Sequence, residues 1–348
     1  MTTVQDNMAR FTKREVVSAA AARELLARMG YPPVEMAIAM IRGGNNFSVS
    51  EADFRNAHTI WGKCLASLRS KTHKKLSPVP DISVTPAPAH QHQVLSVDIM
   101  YLETTAILIA VSTPLDMTLA VSLIRLDTEK TSHDAAVIKP ALNEMISILK
   151  SRNFLVQVIM SDREGAIRKM RPDLLGLRIE VDVSAAGGHV ARIERRIQMV
   201  KERARAHLNG RTPFTPTELC LIYLALYCVS RINCQQSGSR PRGLSPRESF
   251  SGRRVDRNLD YRAACEDYAV CTVHNTNNTM QSRTEDRIVM LPTHSRIGSF
   301  KMLSLATGKI VISDQFKTLP IPQSVIATLN AMAVKEGKKV TNTQPHMF

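Results

Sequence analysis

Between residues 94 and 208 the chain sets short apolar runs against two helical patterns, and that order restricts the fold more than any other feature. Residues 94–102 form a nearly continuous apolar run of strand length. Residues 105–111 and 117–125 flank Pro114-Leu115-Asp116 and read as a hairpin. Ser132 then opens a helix with Ile138, Leu142, Met145 and Leu149 at helical spacing. Residues 154–160 are another apolar strand. In residues 177–183, Leu177, Ile179, Val181 and Val183 alternate with Arg178, Glu180 and Asp182, as in a half-buried strand. A last helix puts Val190, Ile193, Ile197, Val200 and Ala204 on one face. Strands joined by tight turns pair antiparallel, and a strand reached through a helix returns parallel. A mixed α/β sheet of five strands with helices packed on it is expected.

The flanks read differently. Residues 13–76 are expected to be helical, with Gly30-Tyr31-Pro32-Pro33 and Gly43-Gly44 as stops. A third segment starts near Ser50, with Asp53 three residues on as its capping partner, and runs through Trp61. Tyr31 and Trp61 are expected to fill the core there. Prolines 78, 80, 86 and 88 make residues 77–92 a stiff linker. Thr215 opens an apolar helix, and an arginine-rich stretch follows it: Arg231, Arg240, Arg242, Arg247, Arg253, Arg254 and Arg257. That stretch either tracks a nucleic acid or connects domains. Short strands at residues 268–273, 287–291, 299–304 and 309–313 suggest a small SH3-like β-barrel. Residues 324–335 read as a closing helix and residues 336–348 as a frayed tail. The expected division is 1–76, 77–92, 93–258, 259–323 and 324–348.

With 46 Lys and Arg against 31 Asp and Glu, the net charge is +15, which favours a polyanionic partner. The six cysteines include no CxxC pair, so free thiols in a reducing compartment are expected. The longest apolar run, residues 219–229, is too short to span a bilayer, and the first residues carry no apolar signal core. A soluble intracellular protein with no membrane partner follows.

Three acids stand out: Asp98 in LSVDIMY, Asp162 in VIMSDREG and Glu194 in HVARIERR. A carboxylate within or at the end of an apolar strand is costly to bury without a cation. Three of them gathered make an oxygen-only site suited to Mg²⁺ or Mn²⁺. The element order is that of a ribonuclease-H-like core, in which the first strand, the end of the fourth and a following helix bring acids together. Gln198 and Lys201 share the helix face of Glu194 and could touch a DNA end there.

Over residues 93–322 the chain resembles the integrase of long-terminal-repeat retrotransposons, of copia type. The resemblance rests on Asp98, Ser161-Asp162, Glu194-Arg195, then Asn233 before Ser245-Pro246-Arg247-Glu248, and the segment GSFKMLSLATGKIVISDQFKTLPIP. Val190 and Ala191 stand where the family commonly carries Asn-Gly. The resemblance implies a DDE polynucleotidyl transferase in which Asp98 bridges two Mg²⁺ (or Mn²⁺) ions and Asp162 and Glu194 each hold one. It implies DNA 3′-end processing and strand transfer, with double-stranded DNA of element ends and target as partners, a homo-oligomer, and action in the nucleus or a cytoplasmic particle. DNA contacts are expected from Gln198, Lys201, Arg195, Arg196, Arg205, Arg240, Arg242, Arg253 and Arg254. No zinc is expected, since His58, Cys64 and His73 lack a second cysteine. The sequence is read as a polyprotein segment or a standalone remnant. The alternative is a catalytically inactive or domesticated DNA-binding protein derived from such an integrase; a ribonuclease H acting on hybrids and a structural adaptor are further rivals.

Overall fold

The structure is a computed structural model and describes residues 7–43, 47–61, 92–123, 134–161, 165–183, 191–236, 244–252, 255–272, 284–295, 297–319 and 321–340. The chain falls into two compact units, each discontinuous in sequence: Lys74–Lys201 with Cys228–Val255, and Met1–His73 with Glu202–Tyr227 and Asp256–Phe348. Residues 77–91 of the expected linker lie outside the described residues, and His92, its expected last residue, instead begins the first strand.

In the first unit, β1 (His92–Leu102), β2 (Thr105–Thr113), β3 (Thr118–Ser122), β4 (Leu155–Ser161) and β5 (Glu180–Val183) form a sheet of order β3-β2-β1-β4-β5. The hairpin-linked strands β1, β2 and β3 pair antiparallel. β4 runs parallel to β1, and β5 parallel to β4. The five-stranded mixed sheet and its strand directions are those expected from the connections. Leu95 and Val97 of β1, Leu108 and Ala110 of β2 and Ile159 of β4 share a core with Ile138, Leu142, Met145 and Leu149 of helix α4 (Ala135–Lys150). Each large aliphatic side chain so buried contributes about 1.5–3 kcal/mol.

Local differences from the sequence reading have local causes. Asp134 caps α4 by accepting the Ala136 N–H at 2.9 Å, so the helix starts at Ala135; Ser132 lies outside the described residues. The unassigned stretch after β4 holds two short helices, α5 (Gly165–Lys169) and α6 (Arg171–Gly176). Arg178 adopts φ 60°, a left-handed turn that breaks the alternation and leaves Leu177 60% exposed, so β5 is shorter than expected.

The second unit contains α1 (Lys13–Arg28), α2 (Val34–Arg42) and α3 (Glu51–Trp61). The Ser50 N–H donates to Asp53 at 2.8 Å, and Ser50 Oγ receives the Asp53 N–H, as the sequence pattern predicts. Tyr31 is buried edge-on to His207, while Trp61 is half-buried with Arg23 over its ring. A second sheet follows from β6 (Tyr268–Thr272), β7 (Thr284–Pro292), β8 (Phe300–Ser304), β9 (Ile310–Ser313) and β10 (Phe316–Thr318). It is antiparallel throughout, in order β10-β6-β7-β8-β9. The last strand, β10, returns beside the first, β6. The helix over residues 323–335 forms as expected, and its Val325 and Leu329 pack on Tyr268, Ile288, Met290 and Leu303. The expected tail is tied down at its start: Glu336 accepts the Glu218 N–H at 2.7 Å, and Lys338 Nζ donates to the Pro216 carbonyl at 3.0 Å.

Glu266 is buried in this unit, 6% exposed, and bonded to the Thr212 hydroxyl. Burial pushes its carboxyl up to about 7, against the opposing pull of Thr212 and Arg211. An unfolded glutamate titrates near 4.3. Between those values the folded chain holds a proton that the unfolded chain has released, so stability falls as pH rises from about 4.3 to 7 and is flat above. Glu266→Gln is expected to remove about 2–3 kcal/mol of the stability difference between pH 5 and pH 8, read by denaturant unfolding at both values.

Candidate active site on β1 beside the end of β4

Side chains alternate across a strand. Leu95 and Val97 face α4, so Asp98, with Ser96 and Met100, lies on the opposite face of the sheet. Asp98 is half-buried and pairs across from Ile109. Its Oδ1 accepts the Ile99 N–H at 2.7 Å, which fixes one oxygen of the carboxylate. One residue earlier, Val97 is in register with Ser161, the last residue of β4, and Ser161 with Val183, the last of β5. The next residue on β1 is Asp98, and the next in the sequence after Ser161 is Asp162, which lies outside the described residues. The carboxyl ends of parallel strands are where open α/β sheets place ligands.

Glu194 belongs to the first turn of α7 (Ala191–Arg211) and is exposed. Buried Ile193 and Val200 mark the inward face of this helix. Arg192 and Arg196, four residues apart, share one flank. Arg192 donates to the Thr113 hydroxyl at 2.8 Å, and Arg196 to Asp116 Oδ1 at 2.6 Å. At about 100° per residue, Glu194 is about 200° from each and so occupies the opposite flank, with Gln198 and Lys201 close to its azimuth. Gln198 is exposed and Lys201 half-buried. Arg195 and Arg205 are exposed, Arg205 in the part of α7 that belongs to the other unit. Arg196 is only 12% exposed: burial lowers its pKa, Asp116 opposes that, and the charges of Arg192 and Arg195 add to it. Its charge is thus engaged within the protein. Arg240, Arg242, Arg253 and Arg254 lie outside the described residues.

Two residues have roles the sequence reading did not assign. Asp116, taken as an ordinary turn acid, receives Arg196. Asn233, noted only for its place in a motif, bonds both ways with the Thr118 backbone: Oδ1 accepts the N–H at 2.9 Å and Nδ2 donates to the carbonyl at 2.7 Å. Two sequence expectations are also corrected. Arg231 is not part of a basic connector; it is fully buried, because helix α8 (Glu218–Asn233) continues past it. Thr217 rather than Thr215 starts that helix, its hydroxyl accepting the Cys220 N–H at 3.2 Å.

Among the described residues no three His, Cys, Asp or Glu side chains gather into a metal site. Asp98 and Glu194 carry carboxylate oxygens, the hard donors that Mg²⁺ and Mn²⁺ take. The five described cysteines are free and buried, and no described helix is long and apolar enough to cross a membrane.

No protein-family profile and no curated protein matches the chain. Among solved structures it is similar to the catalytic core domain of BIV integrase, with 15% identity and a TM-score of 0.34 over 46% of this chain and 93% of that one. It is also similar to a chain of the simian T-cell lymphotropic virus intasome in complex with PP2A regulatory subunit B56 gamma, with 11% identity and a TM-score of 0.34 over 66% and 82%. The HTLV-2 integrase catalytic core domain in complex with magnesium, a trimeric form, gives 14% identity and a TM-score of 0.35 over 45% and 95%. These overlaps are loose, and the fold assignment rests on strand order and register.

Proposed function

We propose that the chain is a metal-dependent polynucleotidyl transferase of the retrotransposon-integrase type, which trims DNA 3′ ends and joins them to target DNA. The observation that carries this reading is the register of β1 and β4: it sets Asp98 beside the strand end from which the sequence continues into Asp162. α7 is tethered at the Thr113–Asp116 turn by one flank and carries Glu194 on the other; in this reading that flank faces Asp98. Mg²⁺ or Mn²⁺ held by Asp98, Asp162 and Glu194 would activate the attacking oxygen and stabilise the leaving one. The Ile99 N–H keeps the Asp98 carboxylate oriented for that duty. Lys201 and Gln198, on the Glu194 flank, meet the phosphate and edge of a DNA end. Arg195, Arg205, Arg240, Arg242, Arg253 and Arg254 follow the DNA backbone, consistent with the net charge of +15. In this reading the protein acts in the nucleus as a homo-oligomer.

An oligonucleotide DNA-end assay with Mg²⁺ and Mn²⁺ tests it. Asp162→Asn is expected to abolish cleavage and strand transfer with DNA affinity equal or higher; equal activity removes Asp162 from the site. Ala191, which opens α7 where the family commonly carries glycine, favours a second reading: a DNA-binding protein without chemistry. That protein would bind DNA with a steep salt dependence and cut none in either metal.

A further inference from the structure

We propose that Gln93, Thr113 and Asp116 form a brace that fixes the direction of Glu194, which makes Asp116 a positioning residue. This rests on the reading of Glu194 as a site residue. The first turn of a helix is its least secured part, because its N–H groups have no acceptor within the helix. Glu194 sits in that turn, so its direction depends on what holds the turn from outside. Two grips do so, Arg192 on Thr113 and Arg196 on Asp116, both on the flank away from Glu194.

The platform they grip is itself fixed. The Asp116 N–H donates to the Ser112 carbonyl at 2.7 Å. Ser112 and Met117 bond through backbone and hydroxyl. The Leu115 N–H donates to Oε1 of buried Gln93 at 3.0 Å. Gln93 lies on β1, the strand that carries Asp98. A bonded path therefore runs from β1 through Gln93, the turn and Asp116 to Arg196 on the helix that carries Glu194. Arg196 is mostly buried and crowded by Arg192 and Arg195, and Asp116 offsets that cost. Without the Asp116 carboxylate, three guanidinium groups repel one another at the start of α7, and the first turn loosens.

Three variants test the brace: Asp116→Asn, the milder Thr113→Val, and the charge exchange Asp116→Arg with Arg196→Asp. Two quantities are read, amide hydrogen exchange over residues 191–198 without metal and the Mn²⁺ concentration for half-maximal DNA cleavage. Asp116→Asn is expected to speed exchange in that segment about tenfold, leave β1, β2 and β4 protected, and raise the Mn²⁺ requirement. Thr113→Val should move both in the same direction by less, and the charge exchange should restore both in part. If Asp116→Asn unfolds the whole unit, Thr113→Val decides by the same readings. Unchanged exchange and an unchanged Mn²⁺ requirement overturn the brace while the proposed function stands. Faster exchange over residues 191–198 in a protein whose wild type cuts no DNA leaves the brace standing and overturns the proposed function.

Discussion

Asp98→Asn is expected to lower metal-dependent DNA cleavage by about 100- to 1,000-fold or more, the range seen when one preorganised electrostatic group is removed from a reacting centre. Asparagine keeps the size of the side chain and an oxygen able to accept the Ile99 N–H, so the strand is undisturbed. What disappears is the negative charge on a half-buried carboxylate within β1, one residue past the register of the end of β4. Without metal the variant is expected to be as stable as the wild type or more so, because a carboxylate in an apolar strand costs free energy when nothing cationic is bound. DNA affinity should hold or rise, since less negative charge faces the phosphates. Loss of folding together with activity would instead assign Asp98 to the architecture. Cleavage rates, DNA binding and thermal melting on the same preparation separate these outcomes.

Asn233→Ala is expected to give a large loss of stability, about 2–4 kcal/mol, in the unit built on the mixed sheet. Asn233 is buried and satisfies both backbone groups of Thr118, at the start of the edge strand β3. Alanine leaves a buried N–H and a buried carbonyl without partners, each costing about 1–3 kcal/mol. Denaturant unfolding followed by a probe in this unit reads the loss. A change under about 0.5 kcal/mol would mean that water or a shift of β3 replaces both bonds. Asn233→Asp should also destabilise, because the donor to the Thr118 carbonyl is lost while the acceptor remains.

These residues show what was legible in the sequence. The strands β1, β2 and β4 could be read because their apolar runs are short, dense and bounded by turn residues, and their directions follow from the connections. Asp98 stood out because a carboxylate interrupts such a run. β5 was over-extended because nothing in Leu177-Arg178-Ile179 announces a left-handed residue at Arg178. Arg231 was misread because an arginine near other arginines suggests solvent, whereas helix continuation carried it into the interior. The grip of Arg196 on Asp116 joins residues 80 apart in sequence, and no local pattern encodes such a partner. The same holds for the compact units, which draw residues 202–227 together with both ends of the chain.

Diffraction at the manganese edge from Mn²⁺-soaked crystals tests the central claim most directly. An anomalous peak about 2.0–2.2 Å from carboxylate oxygens of Asp98 and Asp162, with Glu194 completing the shell, is the predicted result. Glu194 directed to the far side of the sheet, with no manganese between Asp98 and Asp162, would contradict it.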